Sequence, residues 1–322
     1  MPTLLTVILN WRTPEMTLRA AEAALAAMEG LPGELVIVDN ASADGSEERL
    51  RDGLARRGWQ GRARVIQSGR NGGFGFGNNA GIRAGLRDGR APDYVYVLNP
   101  DAFPARGAIA ALVAHLEAHP KAGLAGSAVH GPDGTPHHGA FRFPSLLSEV
   151  EGAMRFGPVS RLLRRHAVPM PMPAHSGPVD WTVGASLMVR RAVFDEIGLF
   201  DDGFFLYFEE TDLCRRARQA GWQTHYVRES RVVHIGSVST GMKHWQRVPD
   251  YWFASRRRYL RKHLGPRRAA MATALHLAAG GLHRLRCRLM RRETGDPGHF
   301  LRDLARHELR ARRRGPEEEG RA

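Results

Sequence analysis

The chain has 322 residues, 43% apolar and 25% charged, which suits one large α/β domain with an appendage or two modest domains and excludes wholesale disorder and a membrane-spanning body. The formal net charge of +14 is unevenly spread: residues 251–322 hold 19 Lys and Arg against 7 Asp and Glu, leaving only +2 for the first 250. Two distant cysteines, Cys214 and Cys287, argue against a disulfide framework or a Cys-based zinc site and for a reducing compartment.

The opening stretch "MPTLLTVILNW" lacks a basic flank, and its apolar run is too short for a signal peptide or a spanning helix. It reads as a first strand over residues 4–9. In the following "TPEMTLRAAEAALAAMEG", Thr13 suits a helix cap and Pro14 the first helical position, while Leu18, Ala21, Leu25 and Met28 repeat at helical spacing. The pattern then alternates. "ELVIVDN" is a strand, "SEERLRDGLARRG" a helix, "ARVIQS" a strand and "NNAGIRAGLRDG" a helix, before the strand "YVYVL" and the helix "GAIAALVAHLEAHP". Near-continuous apolar strands between amphipathic helices predict a mostly parallel sheet covered on both faces. Ligands of such sheets bind beyond the carboxyl ends of the strands. Asn10, Asp39, Asn40, Asn71, Asn99 and Asp101 all fall at those ends.

Residues 130–178 are rich in Pro, Gly and His and read as a long, partly ordered excursion, with His137 and His138 in solvated loop. Order resumes with a strand, a short helix, an aromatic turn, a helix starting near Glu209 and a final strand ending in "RVVHIG". Beyond residue 250, "YWFASRRRYLRKHLG" is amphipathic and basic. "AAMATALHLAAGGLHRL", interrupted by His276, Gly280 and Gly281, is too short to span a bilayer but can lie on one, and "RRRGPEEEGRA" reads as disordered.

Several groups have the makings of chemistry. The run "GRNGGFGFGNNAGIRAG" is either a phosphate-cradling glycine loop opening a helix or a structural turn; it departs from both the P-loop and the dinucleotide fingerprint. Asp39 either accepts from a ribose hydroxyl or a base N–H, or caps the turn "NASADGS". Asn99 and Asp101 offer an amide oxygen and a carboxylate, hard ligands suited to Mg²⁺ or Mn²⁺ bridging phosphates. Glu209, Glu210 and Asp212 open a helix, where acids favour the dipole; the preceding "FFLYF" places apolar groups beside them, which raises a carboxyl pKa toward that of a general base. His234 is a metal ligand or a strand-end imidazole, and Trp181 a sugar-stacking or a core ring.

In this order, "VILNW", "VIVDNAS", "NGGFGFGNNAGI", "VLNPDA", "WTVGASLMVRR", "FDDGFFLYFEETDLCRRARQAGW" and "VVHIGSVST" resemble a family-2 glycosyltransferase of GT-A fold, in the rhamnosyltransferase-like branch that builds bacterial cell-envelope polysaccharides. The resemblance runs from about residue 3 to about residue 245. It implies a GT-A domain over 1–250, with a nucleotide-binding half (1–128) and an acceptor-side half (129–250), and a basic helical tail over 251–322. It implies that Asn10, Asp39, Asn71, Gly73, Asn78, Asn99 and Asp101 bind the nucleotide sugar. Asp101 and His234 would hold Mg²⁺ or Mn²⁺, and Trp181, Gly184 and Asp212 would border the acceptor. Glu210 stands where the family has its catalytic aspartate, with Glu209 beside it. The implied reaction is inverting transfer of a sugar, rhamnose from dTDP-rhamnose, to a hydroxyl of a glycan or lipid-linked acceptor. Galactofuranose or an N-acetylhexosamine from a UDP donor fits the same mechanism, and a silent nucleotide-sugar-binding or scaffolding protein fits the same motifs. The basic tail suits peripheral contact with the inner face of the cell membrane from the cytoplasm; no nucleic-acid module is present.

Overall fold

A computed structural model describes residues 1–236 and 245–314. The disorder expected of "RRRGPEEEGRA" does not hold for 312–314, which end a helix because they continue its run from Phe300; the rest of that stretch, from residue 315, and the last letters of the "VVHIGSVST" motif lie outside the described residues. The chain divides into two compact units. One comprises Met1–Phe141, Met170–Phe205 and the described part of Glu209–Gly241; the other comprises Arg142–Pro169, Leu206–Phe208 and the described part of Met242–Ala322.

The first unit is built on a sheet. Its elements are β1 (Leu4–Asn10), α1 (Pro14–Ala27), β2 (Gly33–Asp39), α2 (Ser46–Arg56), β3 (Ala63–Gln67), α3 (Phe74–Ala84), β4 (Tyr94–Leu98), β5 (Ala102–Pro104), α4 (Ala108–Ala118) and β6 (Ala122–His130). The second unit contributes α5 (Leu146–Met154) and α6 (Gly157–Leu162), after which the first resumes with β7 (Gly177–Val179), β8 (Ser186–Arg190), α7 (Arg191–Ile197), α8 (Glu209–Gln219) and β9 (Gln223–His234). The strand order is β3-β2-β1-β4-β8-β6-β9-β5, with β7 also paired to β9.

The four strands from β3 to β4 are parallel, and β1, β2 and β4 bury apolar side chains on both faces, as continuous hydrophobic runs require. Their register aligns Val7 with Val36 and with Val97, so Asn10 lies directly beside Asp39 at the carboxyl end. β8 then enters antiparallel, with Leu98 opposite Ser186. This is the mostly parallel α/β sheet of a GT-A fold.

Three local readings change. Thr13 occupies the cap of α1 but its side chain does not cap; Asn10 Oδ1 accepts instead from Thr13 N (3.3 Å) and from Thr17 Oγ1 (2.8 Å). The third helix starts at Phe74, inside the glycine run, because its glycines let it approach the sheet. A Cβ on Gly77 would come within 2.3 Å of Leu9 Cδ1, and one on Gly81 within 2.5 Å of Val7 Cγ1. The three-residue β5 was not expected; it pairs with β9 and sets Ala102 opposite His234.

The second unit is helical. The excursion over 130–178 is more ordered than its composition suggests, since it contains α5, α6 and β7; α5 opens on a reciprocal capping box between Ser145 and Ser148. The helices α9 (Asp250–Leu264), α10 (Pro266–Leu289) and α11 (Phe300–Arg314) share a core that includes Val248, Phe253 and Leu304, and α5 packs along α10. The region beyond 250 is therefore no bare tail. Arg256, 2% exposed, donates to Glu149 Oε2 (2.7 Å) and Thr273 Oγ1 (3.0 Å), while His276 Nδ1 lies 2.7 Å from the same carboxylate. Burial alone would raise the Glu149 carboxyl, but the Arg256 guanidinium and the His276 hydrogen bond together outweigh it and hold it at about 2. His276, Gly280 and Gly281 do not interrupt α10, and Gly280 admits Leu301, which a Cβ there would meet at 2.8 Å. Among the described residues no helix is long and apolar enough to cross a membrane.

Candidate active site

Asp39 is 1% exposed, and both its oxygens are engaged. Oδ1 accepts from Asn10 Nδ2 (2.7 Å) and Ser42 Oγ (2.6 Å); Oδ2 accepts from Ser42 N (3.1 Å) and Gln67 Nε2 (2.8 Å). Asp39 thus ties together the ends of β1, β2 and β3. Of its four donors only Gln67 is an exposed side chain, so it alone can be exchanged without unmaking the rim.

The next layer is the loop before α3. Asn40 Nδ2 donates to Asn71 Oδ1 (3.0 Å) and Gly73 O (3.3 Å), and Asn71 Oδ1 also accepts from Gly73 N (3.2 Å). Gly73 has φ +91°, and a Cβ there would lie 1.9 Å from Phe205 O, the atom that accepts from Phe74 N at 2.8 Å. Only glycine allows this approach. One turn on, Asn78 Nδ2 donates to Phe74 O, while its buried Oδ1 has no partner; Asn79 bonds both Phe200 O and Asp202, fixing the "FDD" turn. The sequence reading puts Asn40 at the rim without a partner and gives Ser42, Gln67 and Asn79 no role; their places in "VDNAS", "VIQS" and "GNNAG" are the available signal.

At the end of β4, Asn99 N donates to Ala185 O at 3.0 Å. Asn99 Nδ2 lies 3.4 Å from His234 Nε2, which in turn lies 3.1 Å from Asp101 Oδ1. The β5–β9 pairing sets these groups together, and Ile235 N donates to the Asp101 carbonyl (3.1 Å). A carboxylate, an imidazole and an amide whose buried Oδ1 has no partner among the described residues form a donor set that suits a cation taking mixed oxygen and nitrogen ligands, as Mn²⁺ or Mg²⁺ with phosphate does.

One residue before Ala185, the Gly184 N–H donates to the Glu210 carboxylate, and its Cα is close enough that a Cβ would touch Glu210 Cβ (3.6 Å) and the Phe74 ring (3.4 Å). The two residues that lead into β8, Gly184 and Ala185, therefore link the Asn99 group to Glu210. Glu209 is buried, and among the described residues Glu209 Oε2 and Glu210 Oε2 both lack a hydrogen-bond partner. Burial pushes both carboxyl groups up, and the neighbouring Glu210 charge pushes Glu209 further. Glu210, held by the Gly184 and Thr211 N–H groups, is the member of the pair that ionises first.

Two sequence candidates stand apart. Asp212 is fully buried and paired with Arg216 (2.8 Å), whose other nitrogens hold Ile197 O and Leu199 O, each at 2.7 Å. That geometry anchors α8 to the turn after α7. Trp181 stacks on Phe141, with centroids 4.2 Å apart, so one indole face is taken.

Against known proteins, the family model described as "Glycosyltransferase like family 2" matches residues 2–265. The chain is a family-2 glycosyltransferase. This glycosyltransferase is 32% identical over 221 residues to N-acetylglucosaminyl-diphospho-decaprenol L-rhamnosyltransferase of Mycobacterium tuberculosis, spanning 65% of the chain and 69% of that protein. It is 25% identical over 196 residues to the rhamnosyltransferase WbbL of Escherichia coli K12, spanning 58% of the chain and 72% of that protein. Its fold matches the mannosyltransferase PcManGT of Pyrobaculum calidifontis in complex with GDP-Man and Mn²⁺ (TM-score 0.55, 15% identity, 98% of this chain and 76% of that one). It also matches GalNAc-T7 with UDP, GalNAc and Mn²⁺ (TM-score 0.61, 16% identity, 96% and 55%).

Proposed function

We propose that this glycosyltransferase moves rhamnose from dTDP-rhamnose, with inversion, to a hydroxyl of a glycan or lipid-linked acceptor in cell-envelope polysaccharide synthesis. The names of the relatives support the sugar and the process. The observation that carries the chemistry is the pair of unpartnered buried oxygens, Glu210 Oε2 and Asn99 Oδ1, joined through Gly184 and Ala185.

In this reading Glu210 Oε2 accepts the acceptor's hydroxyl proton. The oxygen attacks the anomeric carbon as the bond to the diphosphate breaks, and the electron pair leaves with the nucleoside diphosphate. Glu209, kept neutral by burial and by its neighbour's charge, supplies an apolar-like wall that keeps Glu210 basic. A divalent cation, Mg²⁺ or Mn²⁺, would be held by Asp101 and His234 beside the Asn99 amide, and when bound it neutralises charge on the departing diphosphate. Asn10, Asp39, Asn71, Gly73 and Asn78 shape the nucleoside side within the nucleotide-binding half (1–128), with Gln67 yielding its place on Asp39 to a base or ribose donor. Gly184 and Trp181 border the acceptor in the half that follows (129–250). Asp212 takes a positioning role through Arg216.

The test is a thermal-shift titration with dTDP, UDP and GDP, each with Mn²⁺ or EDTA, followed by transfer assays with the matching sugars. Metal-dependent stabilisation by dTDP, absent in Asp101→Ala, is expected. Stabilisation by UDP alone would replace rhamnose with galactofuranose or an N-acetylhexosamine.

Peripheral contact with the inner face of the cell membrane has its own support in the helical unit. Leu282, Leu285 and Leu289 are 55%, 55% and 77% exposed at helical spacing on α10, and Arg288 and Arg292 are exposed beside them. Wild type should float with anionic liposomes and a triple Leu→Ser variant at these positions should not; equal flotation removes this surface from the reading.

A further inference from the structure

Far from the donor rim, at the other end of β9, three histidines that the reaction does not use converge. His115 and His119 lie one turn apart near the end of α4, and His225 lies near the start of β9. Although β9 bulges between Val227 and Arg231, its partner β6 advances from Ala125, opposite His225, to His130, opposite Val233, which separates this cluster from the Asp101–His234 pair by about 20 Å. Each imidazole offers a nitrogen within 4.8 Å of the others, and among the described residues this is the one such group of three or more His, Cys, Asp or Glu side chains.

We propose that His115, His119 and His225 form a second metal site, selective for a borderline transition cation such as Zn²⁺ over Mg²⁺ or Mn²⁺. Three imidazoles without a carboxylate make a nitrogen donor set, which suits Zn²⁺, Ni²⁺ or Cu²⁺ and not a hard cation that prefers oxygen. The surroundings hold two of the rings in ligating form. His225 Nε2 meets Gln223 Oε1 at 2.9 Å, so that nitrogen carries the proton and Nδ1 presents its lone pair to the cluster. His119 Nδ1 meets the His115 carbonyl at 2.8 Å and so donates, which leaves Nε2 as the nitrogen to face a cation. His115 Nε2 donates to His225 Nδ1 at 2.8 Å; on binding, its proton moves to Nδ1 or to solvent and the cation takes the bridging place.

Zn–N bonds of about 2.0–2.1 Å at tetrahedral angles need nitrogens about 3.3 Å apart, so the His115–His225 pair opens by only about half an ångström. His225 is 4% exposed, and His119 faces solvent, leaving room for water to complete the shell. The bound cation would clasp α4 to β9.

The test is Co²⁺ titration of the untagged full-length protein, read by visible d–d absorption, with Zn²⁺ as competitor. Wild type and Asp101→Ala should both bind one Co²⁺ with tetrahedral bands that Zn²⁺ removes and Mn²⁺ in excess does not. His119→Gln, a change at an exposed position whose folding circular dichroism verifies, should weaken Co²⁺ at least tenfold. Absence of bands in wild type overturns the site. So does equal binding by His119→Gln, or loss of the bands in Asp101→Ala with retention in His119→Gln, which would place the cation at the donor rim.

Discussion

Replacing Glu210 by glutamine tests the catalytic assignment most directly. Glutamine keeps the length of the side chain and the oxygen that accepts from the Gly184 and Thr211 N–H groups, but cannot take a proton. Loss of a general base costs about 10²–10⁴ in rate, or about 3–5 kcal/mol in activation free energy. Stability should change little. The new amide N–H₂ meets a position where Glu210 Oε2 has no partner, a penalty of about 1–3 kcal/mol, while removal of a buried charge acts the other way. Nucleoside diphosphate binding, measured by calorimetry, should stay near that of wild type while transfer falls at least a hundredfold. The pH profile gives a second readout. The raised Glu210 pKa means that wild-type kcat/KM falls tenfold per unit as pH drops below that value, which lies above the ordinary glutamate range; the variant's residual rate should be flat. Transfer above a tenth of wild type would refute the assignment. If Glu209→Gln is instead the dead variant, Glu209 is the base and Glu210 does not ionise first.

Gly73→Ala should cost more than 3 kcal/mol or prevent folding, since φ is +91° and the Cβ would sit 1.9 Å from Phe205 O; Gly61→Ala, with nothing within 4 Å, is the neutral control in the same melting experiment. Arg256→Met leaves the buried Glu149 carboxylate with His276 alone, and chemical denaturation should show a loss of about 3–5 kcal/mol at neutral pH. The depressed Glu149 pKa, about 2 against 4.5, contributes about 3 kcal/mol above pH 4.5 that is lost as pH falls toward 2. In Arg256→Met that acid-dependent loss should begin at higher pH; an unchanged acid midpoint would mean that the pair does not set the acid limit.

What the sequence by itself determined is what short-range patterns encode. Continuous apolar runs ending on Asn10, Asp39 and Asn99 specify parallel strands and their polar rim, because side-chain period and burial are properties of neighbouring residues. The ordered motifs led to the family and to the acids at 209 and 210 for the same reason. Tertiary structure decided what depends on residues far apart in the chain. Asp101 meets His234 only because β5, too short to show a pattern, pairs with β9. The glycines after Gly73 read as loop, yet they begin a helix because Leu9 and Val7 lie against them. Glu149 and Arg256 stand 107 positions apart, so the tail's charge could be counted from sequence while the burial of part of it could not. His115, His119 and His225 are the clearest case. The i, i+4 pair lies in plain view on its helix, but its third member arrives on β9, and no local rule links the two.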